Sequence, residues 1–336
     1  MRIVIAAAAA AAALAGMSGG ASAQKLEKVE LFLNWVPGGD HAPYYFARKM
    51  KRYEAAGIDL DIQPGKGSAV AIQRAAAGAS QLGLADMGAA LIARGKGAET
   101  VAVMNVYANS PQGLYWLKSS GIKSAKDLAG KKIGNPPGDA ARVVFPALAK
   151  AVGIDPASVT WVNIDANGKL AALKSKAIDA TTSFYNIHHI FQRELGDDMG
   201  FLPWREAGVN PYGNSLLANA KFFAEKKAVV AAFTKVTQKA FADCVADPKP
   251  CVEALVEANG ALKFDNEMVN WSLVTVLMSD EISRTVALGW HDDKRMAADY
   301  ELAATYFKLD KPFDVKTVYT NEFLDKSIKM TQPKTN

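Results

Sequence analysis

The stretch "LFLNWVPGGDHAPYYFARKM", Leu31 to Met50, crowds Asn34, Trp35, two glycines, His41 and Tyr44 into one chain reversal. A plain strand-to-helix connection needs only a glycine and a cap. The residue types suit binding. Trp35, Tyr44, Tyr185 and Tyr212 can wall a flat ligand, each stacked ring adding about 0.5–1.5 kcal/mol beyond burial. Asn34, His41, Gln112 and Asp139 can supply directional donors and acceptors. Pro37-Gly38-Gly39 lets the backbone approach a ligand closely. For each aromatic, core packing is the competing reading; Tyr45, Phe46, Trp161 and Trp271 read as core.

Catalytic patterns are absent from the sequence: there is no G-x-S-x-G and no H-E-x-x-H. Adjacent His188 and His189 diverge on either a strand or a helix, which makes them poor joint metal ligands. No metal and no cofactor is expected. "NPPGDAARVV", with Gly138 and Asp139, opens a helix whose free N–H groups suit an anion. Asp139 reads as the N-cap and would occupy those donors itself. Lys66 and Arg142 are the cations near enough in sequence to serve an anionic ligand.

The elements that must position these residues alternate. "KVELFLNW", "IDLDIQPG", "SQLGLAD" and "ETVAVMNVYA" read as strands, separated by helices; Ser68 reads as the N-cap of "SAVAIQRAAAGA". A second series follows with "GLYWLKSS", "KKIGN", "VTWVNI" and "IDATTSFY". One more strand, "GNSLLAN", precedes a mostly helical end. Such βαβ series predict parallel sheets in two α/β lobes, with the chain crossing near Asn109 and Asn210. Ligands gather at the carboxyl ends of strands in such lobes. The first reversal lies there. So do "PGKGS" with Ser68, "LADMG" with Asp86, "NPPGDA", and "SFYNIHH" with Tyr185 and His188.

The chain has 336 residues and a formal charge of +5, with basic residues scattered rather than clustered, which argues against nucleic acid. "MRIVIAAAAAAAALAGMSGGASAQ" has a basic start, an apolar Ala-rich run and Ala21-Ser22-Ala23, the pattern of a secretory leader over residues 1–23. No Cys follows the cleavage point, which argues against a lipid anchor. An exported, soluble, periplasmic chain acting as a monomer is expected. In that compartment Cys244 and Cys251 can pair, because Pro248 and Pro250 break the helix between them.

"LNWVPGGDHAPYYFARKM…GIDLDI", "QLGLAD", "SGIKSAKDLAGKKIG" and the terminal "VYTNEFL" together resemble the thiamine-pyrimidine-precursor-binding family of periplasmic proteins. Asn34-Trp35-x-Pro37 with His41-x-Pro43 is the most specific piece; "DLAGKKIG" is shared with sulfonate-, taurine- and nitrate-binding relatives. The resemblance implies a type II periplasmic binding protein: two α/β lobes, a two-strand hinge and a C-terminal helical region. Residues 24–108 would form the first part of lobe 1, 109–210 lobe 2, and 211–336 the return to lobe 1 with the C-terminal helices. It implies a small heteroaromatic, pyrimidine-like ligand passed to an inner-membrane ABC permease. Aliphatic sulfonates, taurine, nitrate and aromatic acids are the alternatives. One branch of the family is a synthase with an active-site His and a cysteine-rich segment. Here "LADMGAALIARG" and "NPYGNSLLAN" contain neither, so no enzyme is expected. The family pattern also carries an acidic residue about where His188 stands, which leaves an oxidised pyrimidine, a flavin-like ring or an aromatic acid open as ligand.

Overall fold

The computed structural model describes residues 25–333. The expected leader lies outside the described residues. Among the described residues, ten strands form two five-stranded sheets. The first lobe holds β1 (Glu27–Phe32), β2 (Ile58–Gln63), β3 (Leu82–Asp86), β4 (Thr100–Asn105) and β10 (Asn214–Asn219), in the order β2-β1-β3-β10-β4. The second holds β5 (Gln112–Leu117), β6 (Lys132–Asn135), β7 (Thr160–Asn163), β8 (Ala180–Phe184) and β9 (Met199–Pro203), in the order β7-β6-β8-β5-β9.

Both sheets are mixed, whereas the alternation of helices and strands predicts parallel ones. In each, one strand runs against its neighbours. β10 is antiparallel to β3 and β4, and β5 is antiparallel to β8 and β9. These are the two strands that arrive from the other lobe. A strand entering from the cleft side starts where its neighbours end, so it must run opposite to them. β9 and the helix His188–Leu195 are additions to the sequence reading. "MGFLP" carries a Gly and a Pro, which a short edge strand tolerates.

The crossings β4–β5 and β9–β10 lie side by side. Val106 and Tyr107 both donate N–H to the Asn214 carbonyl, at 2.7 and 3.0 Å, and Gly213 N–H returns to Tyr107 O at 3.0 Å. The C-terminal helices pack on the first lobe. Their Phe233, Phe241 and Trp271 bury against Tyr44 and Tyr53 of the first lobe's early helices. Among the described residues no helix is long and apolar enough to cross a membrane.

Cys244 and Cys251 are joined, with Cα atoms 5.8 Å apart. They link the helices Lys227–Ala246 and Lys249–Ala258, and Pro248 stands at the break between them. Closing so short a loop restricts the unfolded chain by about 2–3 kcal/mol. Replacing both cysteines with Ala is expected to lower unfolding free energy by at least that much while leaving ligand affinity unchanged. Urea denaturation paired with calorimetric titration reads both; a fall in affinity without loss of stability contradicts it.

Candidate functional site

Between the lobes lies a cavity of about 300 Å³. The first lobe contributes the reversal after β1, from Asn34 to Gly38 with Asp40, and Ser68 of the helix after β2. Asn270 comes from the C-terminal helix Phe264–Met278. The second lobe contributes the segments after β6, β7 and β8, among them Asp139, Lys169 and Asn186. Phe184, Ile187, Ile190 and Phe191 make its apolar side.

The reversal is held by backbone. Gly65 N–H donates to the Trp35 carbonyl at 3.0 Å and Gly67 N–H to the Asn34 carbonyl at 2.8 Å. Gly67 has φ +124°, and a Cβ there would stand 2.3 Å from Gly138 O of the second lobe. Only glycine lets the lobes meet at this point. Gly39 allows a second close approach, to a helix rather than to a ligand as the sequence suggests. A Cβ on it would lie 2.7 Å from Glu267 O. Its N–H donates to Glu267 Oε2 at 2.6 Å.

His41 is fully buried one layer behind Asn34. Gly38 N–H donates to His41 Nδ1 at 3.1 Å, so that nitrogen is an acceptor and the proton sits on Nε2. Nε2 then donates to Asn34 Oδ1 at 3.0 Å. Burial pushes the His41 pKa below its ordinary value against the pull of Asp40, which keeps the ring neutral. The 3.2 Å approach of Asp40 Oδ1 to Nδ1 is accordingly no ion pair. With Oδ1 engaged, Asn34 offers its amide nitrogen to the cavity, a donor without a protein acceptor among the described residues.

On the second lobe, Asp139 caps the helix Ala140–Ala151 by accepting the Ala141 N–H at 2.9 Å. It also takes Lys169 Nζ at 2.6 Å. Lys169 is 5 % exposed, which is rare for a lysine unless paired. It donates a second N–H to Thr182 O at 2.9 Å and stands 4.7 Å from the centroid of the Trp35 ring, joining the lobes by a cation–π contact. Asn186 N–H to Asn270 Oδ1, at 3.1 Å, is another bridge between them.

Four residues proposed from sequence come together at the cavity wall: Asn34, Trp35, Ser68 and Asp139. Ser68 is the first helical residue rather than the N-cap, which is Gly67; its Oγ accepts the Asp86 N–H at 3.1 Å. Asp86 and Gln112 lie beneath it, hydrogen-bonded at 3.3 Å, and burial raises Asp86 to about 6. Gly138 sits at the lobe contact, its carbonyl accepting Ala69 N–H at 3.2 Å.

The other four are placed away from the wall. Tyr44 lies on the core side of the helix Ala42–Lys49, edge-on to Phe241 at 5.4 Å. Tyr185 and His188 turn outward together onto Phe201, at 6.0 and 4.3 Å, and His188 Nδ1 meets the Tyr115 hydroxyl at 3.2 Å. The helical turn after β8 explains this: it aims Asn186, Ile187 and Ile190 inward and 185 and 188 the opposite way. Tyr212 is buried against the C-terminal helix Asp293–Tyr306, where its hydroxyl accepts the Asp292 N–H at 3.0 Å. Neither Lys66 nor Arg142 borders the cavity. Lys66 is exposed, and Arg142 bonds Asn163 at 2.6 Å and stacks on Trp161.

Sequence reading passed over Lys169, Asn186, Glu267 and Asn270. Asn186 was legible inside "YNIHH" as the polar residue beside Tyr185. Lys169 shows no signal in "GKLAALKSKA", and Glu267 and Asn270 reach the site only through long-range packing.

Residues 39–251 match the family described as NMT1/THI5 like, which is more than half of the chain. The chain belongs to the NMT1/THI5-like family. This NMT1/THI5-like chain is 26 % identical over 306 residues to the 4-amino-5-hydroxymethyl-2-methylpyrimidine phosphate synthase of Legionella pneumophila, covering 88 % of this chain and 92 % of that one. It is 23 % identical over 261 residues to the formylaminopyrimidine-binding protein of Halalkalibacterium halodurans, covering 77 % of each. Its structure superposes on the periplasmic aliphatic sulphonate binding protein SsuA of Escherichia coli with a TM-score of 0.65 at 13 % identity, over 92 % of this chain and 94 % of that one. The fold is therefore that of the periplasmic binding proteins.

Proposed function

We propose that this NMT1/THI5-like chain is the soluble periplasmic receptor of an ABC importer, closing over one small planar heteroaromatic molecule of pyrimidine type. Residues 24–108 and 211–336 move as one lobe and 109–210 as the other, about the two crossings, after removal of a leader ending at residue 23. The ligand touches both lobes and stabilises the closed state. One observation carries this reading. The cavity is apolar on one side and walled by Trp35, and the single cation among its described lining residues, Lys169, is already paired with Asp139. A planar neutral ring with hydrogen-bonding edges fits such a space. A sulfonate or nitrate would need a free cation or an open helix N-terminus; the lining cation is already paired, and Asp139 occupies the start of the helix Ala140–Ala151.

The formylaminopyrimidine-binding relative supports the same ligand class. The synthase relative raises the catalytic alternative. Against it stand the lack of His and Cys in "LADMGAALIARG" and "NPYGNSLLAN" and the use of both cysteines in the disulfide. The test is calorimetric titration of purified protein with 4-amino-5-hydroxymethyl-2-methylpyrimidine, its formylaminomethyl analogue, taurine, an alkanesulfonate and nitrate. Micromolar or tighter binding of a pyrimidine with no response to the anions is expected; the reverse order overturns the proposal.

A further inference from the structure

The charges around the cavity do not balance. Lys169 is neutralised by Asp139 at 2.6 Å, so the pair acts as a local dipole. Asp40, also on the wall, has no cationic partner among the described residues: the Tyr107 hydroxyl donates to it at 3.1 Å, and His41 beside it is neutral. Glu267 stands directly behind. A Cβ at Gly38 would lie 3.3 Å from Asp40 Oδ1 and 3.7 Å from Glu267 Oε2, so both carboxylates border one glycine of the wall. Burial, with Asp40 adding to it, raises Glu267 to about 7 against the Gly39 N–H and Asn270 amide it accepts. Asn34 offers the cavity a donor, and Asn186 offers it an acceptor. Asn186 lines the cavity, is 5 % exposed, and its Oδ1 has no hydrogen-bond donor. The Trp35 face already holds one ammonium.

We infer that the cavity takes its ligand as a cation: a heteroaromatic base with a protonated nitrogen seated at Gly38 against the carboxylates of Asp40 and Glu267. The inference rests on the heteroaromatic reading above. A buried carboxylate that has hydrogen bonds but no cation beside it is still costly, and a positive ligand removes part of that cost on binding. Lys169 does not repel such a ligand strongly, because Asp139 cancels its field beyond the contact distance.

Three 4-amino-2-methylpyrimidines differing only at position 5 test it: hydroxymethyl (neutral), aminomethyl (an ammonium) and phosphorylated hydroxymethyl (an anion). Titrated near pH 7.5, the aminomethyl compound is expected to bind wild type at least about tenfold tighter than the hydroxymethyl compound, as a desolvated charge pair should. The phosphate is expected to bind weakest. In Asp40→Asn the preference for the ammonium shrinks to about twofold or less, and Glu267→Gln reduces it in part. The wild-type ranking needs no variant, so a variant that misfolds does not remove the test. Equal binding of the hydroxymethyl and aminomethyl compounds, or tighter binding of the phosphate, overturns the cationic ligand while the heteroaromatic reading stands. Failure of all three to bind removes both.

Discussion

Trp35→Ala is expected to weaken pyrimidine binding by about 30- to 100-fold, roughly 2–3 kcal/mol, with little change in stability. The ring is partly buried at the cavity and packs on Lys169 rather than in a hydrophobic cluster, so the folded chain loses little packing with it. The ligand loses a stacking face, and the closed state loses the contact with Lys169 that joins the lobes. Trp161 is the control. It lies edge-on to Phe145 at 5.2 Å under the Arg142 guanidinium, away from the cavity. Trp161→Ala should cost about 1–2 kcal/mol of stability, as a half-buried ring does, and leave affinity intact. Calorimetric titration and urea denaturation of both variants separate the two roles. Unchanged affinity in Trp35→Ala would remove the ring from the binding wall.

Asp299→Asn is expected to gain stability over wild type as pH rises. Asp299 lies at 6 % exposure beside the return crossing, where its Oδ2 accepts the Tyr212 N–H at 2.9 Å. Burial, with Asp86 nearby, raises it to about 7 despite the pull of Arg295. The unfolded chain releases this proton near pH 3.9. Between about pH 4 and 7 the folded chain therefore holds a proton that the unfolded chain does not. Stability falls as pH rises through that window, and the full loss persists above it. Three pH units correspond to roughly 4 kcal/mol. Asn carries no charge and keeps an oxygen for Tyr212. The stability difference between variant and wild type should climb from pH 4 to 7 and then level, by roughly 3–4 kcal/mol. His291, lowered to about 3 by burial, titrates in both proteins and cancels from the difference. A difference that does not vary with pH would show that Asp299 carries no buried titration.

The family, the α/β class and four of the residues at the candidate cavity were legible in the sequence because they rest on local signals. Hydrophobic alternation and helical spacing mark the βαβ units, and the Trp35 reversal, "LADMG" and "NPPGDA" mark strand ends where ligands collect. The N-cap role of Asp139 follows from its place before an apolar helical run and is met in the structure. Which side a residue faces was less legible wherever the chain coils tightly. Tyr185, His188 and Asn186 are neighbours in sequence, and one helical turn sends the aromatic pair outward and Asn186 inward. Tyr44 and Tyr212 look like binding aromatics by type, yet their surroundings, Phe241 and the Asp293–Tyr306 helix, come from far along the chain.

The electrostatics of the cavity belong wholly to the tertiary structure. Glu267 meets Gly39 across 228 positions of sequence. Lys169 meets Asp139 from another βα unit, and Trp35 from the other lobe. Local pattern determines what each segment becomes. Burial, and the pairing or isolation of charge that comes with it, arises only when distant segments pack. That packing decided that Lys169 is neutralised by Asp139, while Asp40 stands at the cavity wall with Glu267 behind Gly38.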